Sequence, residues 1–418
     1  MNERAAQLIF GTHHCPPGEQ AGRRGVFGRG GFSLTELVVV MGIFMTIMLI
    51  TSNTFKIIAN QASQQSKSVE TQIEGIVGLE VLRADLTQAG FGLCETFQNT
   101  PASYNEANMD SNMPTNFWTG TDSPQTFNDP PDAPRAIQSR ETTFNEADGH
   151  GSKYIVIKST AVATNNASKK WTNVSYASGM RTTREWHDTS RDFAASDRVI
   201  VVKNNLVTTP ASRQLMVRPA TAATNPGSYS TTFDNYTTLI QPHVDGDTFQ
   251  IYGVSSGNLR MPFNRADYFI MKPTTNMPAG CAPKTGVLYK YNISHSTGGF
   301  DPKIPLLDCV ADMQIVYGLD GSASGSINQY LDAPANTLSK TAADIRAQLK
   351  EIRVYILAQD GQKDLTYTYP SEKVKVGETL NGVFRGREFD LKNIIITDWD
   401  HYRWKVYTIV VRPQNLIQ

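Results

Sequence analysis

Residues 37–50 form an apolar run interrupted only by Gly42 and Thr46. At about 1.5 Å per residue, a helix over residues 32–50 is roughly 28 Å long, close to the hydrocarbon thickness of a bilayer. The pattern then changes. Over residues 54–93, Val69, Ile73, Ile76, Leu79 (or the neighbouring Val77), Leu82, Leu86 and Ala89 recur at steps of three and four. That spacing marks one face of an amphipathic helix. No proline occurs between Phe32 and Leu93. The pattern predicts one long helix, apolar all round at its start and one-sided afterwards, ending near Gly90 and Gly92. A one-sided stripe has to be buried. The strand-like character of the rest of the chain argues against burial in a two-helix hairpin.

Residues 95–150 show little periodicity. They are rich in Asn, Pro, Thr, Asp and Ser, with Pro130-Pro131 and Pro134 close together, and read as a long loop or inserted subdomain offering a candidate contact surface. From residue 153 onward, short β-branched and aromatic runs recur at 154–157, 198–202, 214–217, 248–252, 268–271, 287–291, 313–317, 352–357 and 402–411. Residues 341–349 can form a short helix. No βαβ alternation is visible, which argues against a parallel-sheet nucleotide fold.

Composition narrows the function. The 418 residues are 40% hydrophobic and 19% charged, enough for a sizeable core and against wholesale disorder. Lys+Arg and Asp+Glu both total 39, which argues against a chain held to nucleic acid by phosphate neutralisation. A single long apolar run argues against a multi-span membrane protein. Before that run, Arg4, Arg23, Arg24 and Arg29 outnumber Glu3 and Glu19. The positive flank predicts a cytoplasmic N-terminus and an exported remainder. No small-residue cleavage site follows Ile50, so the segment reads as retained. Glu36 is the odd residue: a carboxylate beside an apolar helix is either solvated at headgroup level or meets a positive partner in the membrane or in an assembly.

The stretch Gly31-Phe32-Ser33-Leu34-Thr35-Glu36-Leu37-Val38-Val39-Val40 resembles the class III signal of type IV pilins and type II secretion pseudopilins. The resemblance implies that a prepilin peptidase cuts between Gly31 and Phe32 and methylates Phe32. It also implies that Glu36, fifth in the trimmed chain, pairs with an N-terminal amine. An ammonium and a carboxylate neutralise one another where either alone would be costly. Further along, Arg83-Ala84-Asp85-Leu86-Thr87-Gln88-Ala89-Gly90-Phe91 is similar to a signature of PilW-type minor pilins and J-type pseudopilins. Arg83 and Asp85 also read simply as solvated helix charges. Gly286-Val287-Leu288-Tyr289-Lys290 and the segment from Leu306 to Asp320, with its Gln314-Ile315-Val316-Tyr317-Gly318-Leu319-Asp320, again resemble the PilW family.

Cys15 falls in the segment that cleavage would remove. Cys281, in the turn over residues 278–283, and Cys309, at the start of a strand, are the expected disulfide; pairing of Cys94 with one of them is the alternative. Four cysteines are too few for a disulfide-built scaffold. No metal-ligand spacing, G-x-S-x-G or H-E-x-x-H occurs. Asp245-Gly246-Asp247 reads as a turn, and residues 320–326 as a flexible hairpin loop. Trp399, His401, Tyr402 and Trp404 read as packing for the last strands.

The expected fold is therefore α+β and type IV pilin-like: a long N-terminal helix packed on a C-terminal antiparallel β-rich domain carrying a large insertion. The expected organisation is a leader over 1–31, a transmembrane or filament-core helix over 32–53, an amphipathic helix over 54–93, a loop-rich insertion over 94–152 and a β-rich domain over 153–418. The resemblance implies a minor pilin, not an enzyme, without cofactor or metal. Its partners would be the prepilin peptidase, other minor pilins and the major pilin, the inner-membrane assembly platform, and lipid through residues 32–50. Its place would be the bacterial inner membrane and then the pilus. A J-type pseudopilin is the near alternative, and a membrane-anchored exported adhesin or enzyme the alternative of another class.

Overall fold

A computed structural model describes residues 31, 33–98, 104–108, 123–143, 151–205, 212–218, 228–238, 242, 244–273, 277–332 and 340–416. Residues 1–30, Cys15 among them, and Phe32 lie outside the described residues. The chain divides into two units, Met1–Gln61 and Ala62–Gln418. One helix, α1 (Leu34–Thr87), begins in the first and ends in the second.

In the first unit α1 is apolar on every side. Leu37, Val38, Val39, Val40, Ile43 and Phe44 are each more than half exposed. The stretch Leu34–Ser63 is long and apolar enough to cross a membrane. Its few hydroxyls are absorbed by the helix itself: Thr46, Thr51 and Thr54 donate to the carbonyls of Ile43, Ile47 and Ile50 at 2.7, 2.7 and 2.9 Å. A polar side chain on an apolar helix is thereby satisfied without solvent.

In the second unit the last turns of α1 pack on a β-rich body. Leu82 and Leu86 are fully buried and Leu79 nearly so. Each such side chain contributes about 1.5–3 kcal/mol on burial. The helix closes at Thr87, earlier than residue 93, because the chain turns through Gly90 (φ +81°) and Gly92 (φ +70°). Gly90 N donates to the Lys158 carbonyl at 3.0 Å, tying the turn to the sheet. The predicted stripe is only half used. Leu79, Leu82, Leu86 and Ala89 are buried, whereas Val69, Ile73, Ile76 and Val77 remain more than half exposed.

Seventeen strands occur among the described residues. The larger sheet has eight. Along its path lie β17 (Arg403–Val411), β14 (Leu349–Asp360), β12 (Ile304–Leu319), β11 (Gly286–Asn292), β10 (Asn264–Met271), β3 (Gly151–Ser159) and β2 (Ile137–Thr143), with β13 (Gln329–Leu331) on β12. All of its pairings are antiparallel. The seven-stranded sheet holds β1 (Thr96–Phe97), β4 (Trp171–Ala177), β5 (Met180–Thr183), β6 (Arg198–Asn205), β7 (Ser212–Leu215), β8 (Thr231–Thr232) and β9 (Thr248–Ser255). A hairpin, β15 (Lys373–Leu380) with β16 (Val383–Asp390), forms a third, small sheet. Two short helices, α2 (Ala342–Gln348) and α3 (Leu391–Ile394), complete the unit. The fold is thus α+β, an apolar N-terminal helix and a large body of mostly antiparallel sheets.

Strand alternation gives the eight-stranded sheet two apolar faces. Ile155, Tyr268, Ile270, Leu288 and Ile315 join the helix residues Leu82 and Leu86 in one core. On the opposite face, Phe127, Tyr154, Phe269 and Tyr291 form a run of stacked rings with centroids 5.0–5.1 Å apart. Beside them, Val316, Tyr355 and Leu357 are covered by Val374, Val376 and Phe389 of the hairpin.

Part of the stretch read as loop-rich is therefore sheet. β2 pairs with β3 over its full length, from Ile137 opposite Ile157 to Thr143 opposite Gly151. Its sequence hid this because Gln138, Ser139 and Thr142 are polar yet buried. β12 is also longer than the predicted 313–317: it continues through Pro305, Asp308 and Asp312, with an irregular register near Cys309, whose φ is +53°.

Candidate assembly surface

Gly31 and Ser33 precede α1, and Glu36 lies in its first turn. Gly31 is exposed, and a side chain added there would meet nothing within 4 Å. Ser33 N donates to Glu36 Oε2 at 3.0 Å, and Glu36 N donates to Ser33 Oγ at 3.2 Å. This is a reciprocal cap that satisfies two otherwise orphaned donors. The carboxylate also sits at the positive end of the helix dipole. Phe32, the other residue expected at the processing site, lies outside the described residues.

The lower end of the helix is held by charge. Asp85, read as either a solvated helix charge or a signature residue, is buried. Lys290 Nζ from β11 donates to its Oδ2 at 2.5 Å, and Tyr268 OH from β10 donates to the same oxygen. Lys290 Nζ also donates to the Val162 carbonyl at 2.8 Å. Burial raises the Asp85 carboxyl above its ordinary range, against the opposing pull of Lys290 and Tyr268. Arg83 instead stays in solvent, 3.4 Å from Glu80. Of the two charges in the signature, then, only Asp85 is drawn into the fold. A removed partner would leave a buried charge uncompensated, so such a pair is a geometric constraint more than a source of stability.

Above that lock the helix runs against backbone. A Cβ built on Gly78 would lie 1.8 Å from the Leu306 carbonyl oxygen, and one on Gly75 would lie 3.0 Å from Leu307 Cδ1. Beside this crossing, Ile73, Val77 and Val81 line an apolar hollow of about 750 Å³ with Tyr289, Ile304 and Leu306. Sequence reasoning missed Gly75 and Gly78; their spacing of three along the edge of the apolar stripe was the available signal.

The far face of the sheet carries a second buried charge network, also missed. Lys158 Nζ lies 2.7 Å from Glu106 and 2.5 Å from Asp129. Arg265 makes two 2.8 Å hydrogen bonds to Asp267 and one of 2.9 Å to Asn128 Oδ1. Glu106, Asn128 and Asp129 belong to the segment read as insertion, so these ions fasten that segment to β3 and β10. Burial works to raise Asp129, but Lys158 and Arg135 outweigh it and hold its carboxyl below the usual range.

Cys281 and Cys309 are disulfide-bonded, with Cα atoms 5.0 Å apart. Cys94 is buried and outside any disulfide, and burial pushes its thiol up to about 12. It is protonated at neutral pH, a poor nucleophile and a poor metal ligand. No group of three or more His, Cys, Asp or Glu residues is arranged to hold a metal among the described residues. Asp245 and Gly246 form a turn in which Asp245 accepts from Ser178 N at 2.9 Å. The loop after β12 is tied down by Asp320, whose carboxylate accepts from Ser324 N and Gly325 N at 2.9 and 2.6 Å. Trp404 donates to the Trp399 carbonyl at 2.9 Å and packs with Tyr402 beneath the hairpin.

No curated protein and no solved structure matches the chain. Residues 267–415 match the family described as PilW, Type IV Pilus-assembly protein W. The matched stretch begins inside β10 and ends beyond β17, so it takes in Tyr268 and Lys290, both partners of Asp85, and both disulfide cysteines. It is in these residues, and the sheet they build, that the chain is similar to the PilW family of type IV pilus-assembly proteins.

Proposed function

We propose that the chain is a minor pilin of a type IV pilus, trimmed between Gly31 and Phe32 by a prepilin peptidase, methylated on Phe32 and built into a priming or tip complex with other minor pilins and the major pilin. The observation that carries this reading is the coexistence, in one chain, of a segment matching the PilW family and an N-terminal helix whose large apolar side chains from Leu34 to Ile58 are all exposed. Such a surface has two apolar homes, lipid and other helices. Before assembly the helix spans the inner membrane, N-terminus in the cytoplasm, with the β-rich body exported. After assembly it lies among helices in the filament, having left the assembly platform.

Glu36 then has a specific role. In the untrimmed chain its carboxylate caps Ser33 N. Cleavage before Phe32 creates an ammonium one residue before Ser33 in the sequence. That ammonium, or the one on an adjacent subunit, pairs with Glu36 and sets axial register by cancelling two charges in low dielectric.

Glu36→Ala is expected to leave trimming intact and to lower the amount of the chain in sheared pili at least tenfold, read by immunoblot. Normal incorporation would remove the register role. N-terminal mass spectrometry of the membrane-bound chain should begin at methylated Phe32; a start beyond Ile50 would end the reading altogether. The J-type pseudopilin alternative shares the trimming chemistry, and loss of secretion with intact piliation on deletion of the chain would favour it.

A further inference from the structure

One pair among the buried ions that fasten Glu106 and Asp129 to the sheet has its atoms placed for a reaction. Lys158, on β3, has no exposed side-chain surface, and Glu106 and Asp129 are buried beside it. Its Nζ lies 2.5 Å from Asp129 Oδ2 and 2.7 Å from Glu106 Oε2. The same nitrogen donates to the Phe127 carbonyl at 2.8 Å and lies 5.7 Å from the centre of the buried Phe263 ring. A primary amine thus touches a carboxyl group, with a second carboxylate on the same nitrogen and aromatic carbon beside them.

The two oxygens of Asp129 are held differently. Oδ1 accepts from Arg135 Nε at 2.7 Å, whereas Oδ2 takes Lys158 Nζ and, at 2.8 Å, Arg135 N. Glu106 is fixed as well, its Oε1 accepting from Asp129 N at 2.9 Å. We propose that Lys158 and Asp129 condense to an intramolecular amide, with Glu106 carrying the protons. Glu106 takes a proton from the ammonium and hands it to Asp129 Oδ2, leaving a neutral amine against a neutral carboxyl. Nζ then attacks Cγ, and negative charge gathers on Oδ1, where Arg135 Nε meets it. Glu106 moves a second proton from Nζ to Oδ2, the Cγ–Oδ2 bond breaks, and water leaves. Of the three ammonium hydrogens, one stays on the amide nitrogen and two depart in the water; Glu106 ends as it began.

Condensing an ammonium with a carboxylate is uphill in dilute solution, and two terms oppose that here. Well-oriented groups in contact reach effective molarities of about 10⁵–10⁸ M. The step also erases one buried positive and one buried negative charge, each costly to keep from water. The remaining charges of Arg135 and Arg265 are still matched by Glu106 and Asp267. No polar group is stranded by the product: its N–H inherits the Phe127 carbonyl, and its oxygen, Oδ1, keeps Arg135 Nε. The ion pair is the reactant, so any acid response of Asp129 belongs to chain that has not condensed. The amide goes beyond the assembly role and does not depend on it.

The test is intact mass spectrometry of the purified full chain in detergent, followed by tandem spectrometry of a digest. The chain should be one water lighter than its sequence from the measured first residue, with the disulfide counted. Lys158 and Asp129 should appear in one cross-linked peptide. Lys158→Met and Asp129→Ala should each restore the full mass. Glu106→Gln keeps both reacting groups; with its circular dichroism spectrum unchanged, it should slow the loss of water after pulse-labelling by at least about a hundredfold. An unaltered chain that keeps its full mass, a water lost at another position, a link from Lys158 to Glu106, or condensation of Glu106→Gln at the unaltered rate would each overturn the proposal. Trimmed and untrimmed chain serve equally, so failure here leaves the assembly reading untouched.

Discussion

Asp85 shows how one residue's meaning depends on partners far off in sequence. On its own helix it looks like any wet carboxylate, beside Arg83, which is one. Its burial is imposed by Lys290 and Tyr268, about two hundred residues away. Asp85→Ala should cost about 3–5 kcal/mol in urea unfolding, because it strands the Lys290 ammonium in the core. The double variant Asp85→Leu/Lys290→Met should recover most of that loss. The acid response should separate Asp85 from Asp129. Asp129 is held below the ordinary carboxylate value of 3.8, so its stabilisation is complete above that pH and is lost as pH falls through its lower folded value. Asp85 is shifted the other way: the fold favours its protonated form, and its contribution declines as pH rises from 3.8 through its raised value. Asp129→Asn should therefore flatten the loss of stability below pH 4, and Asp85→Asn should not.

Among the elements, α1 was the most legible, since apolar residues without a single proline over some sixty positions admit little else. Its buried contacts were legible in part. Leu82, Leu86 and Ala89 sit where their spacing puts them, but Val69, Ile73 and Ile76 obey the same spacing and stay exposed. Periodicity reports which face is apolar, not how far along a neighbour reaches to cover it. The neighbour ends at the crossing with β12, marked by Gly75 and Gly78. Gly78→Ala should displace the helix from Leu306 and lower the melting temperature sharply, whereas Gly42→Ala, with nothing within 4 Å of its added methyl, should leave it unchanged. Reversal of that order would mean that the crossing is not close-packed. β2 escaped notice for another reason. Several of its buried side chains are polar, among them Ser139, whose Oγ accepts from Tyr317 OH at 2.8 Å, a contact that pattern alone does not reveal.

For the whole molecule, strand content was evident from the recurring β-branched runs, but their division into two sheets was not. Strands β3 and β4 are neighbours in sequence and belong to different sheets, and no local signal marks the switch. Long-range ties hold the result together. The Cys281–Cys309 bond closes a segment with a sequence separation of 28, worth about 3–4 kcal/mol on the chain-entropy view. Cys281→Ser should lower the urea midpoint accordingly, and dithiothreitol should do the same to the unaltered chain while leaving Cys281→Ser unmoved. An equal response of both to the reductant would place the effect elsewhere.

The close crossing of Gly78 over β12 bears on what happens when the molecule is tugged. Traction entering through the N-terminal helix reaches the sheet first where backbone lies on backbone, at a spot with no side chain to bend or slip. Just beyond, Cys309 hands the strain across a covalent bond to Cys281, and Asp85 grips Lys290 one strand over. A pull on that helix would then enter the body as into a riveted joint, with rupture deferred to strands farther from the point of attachment.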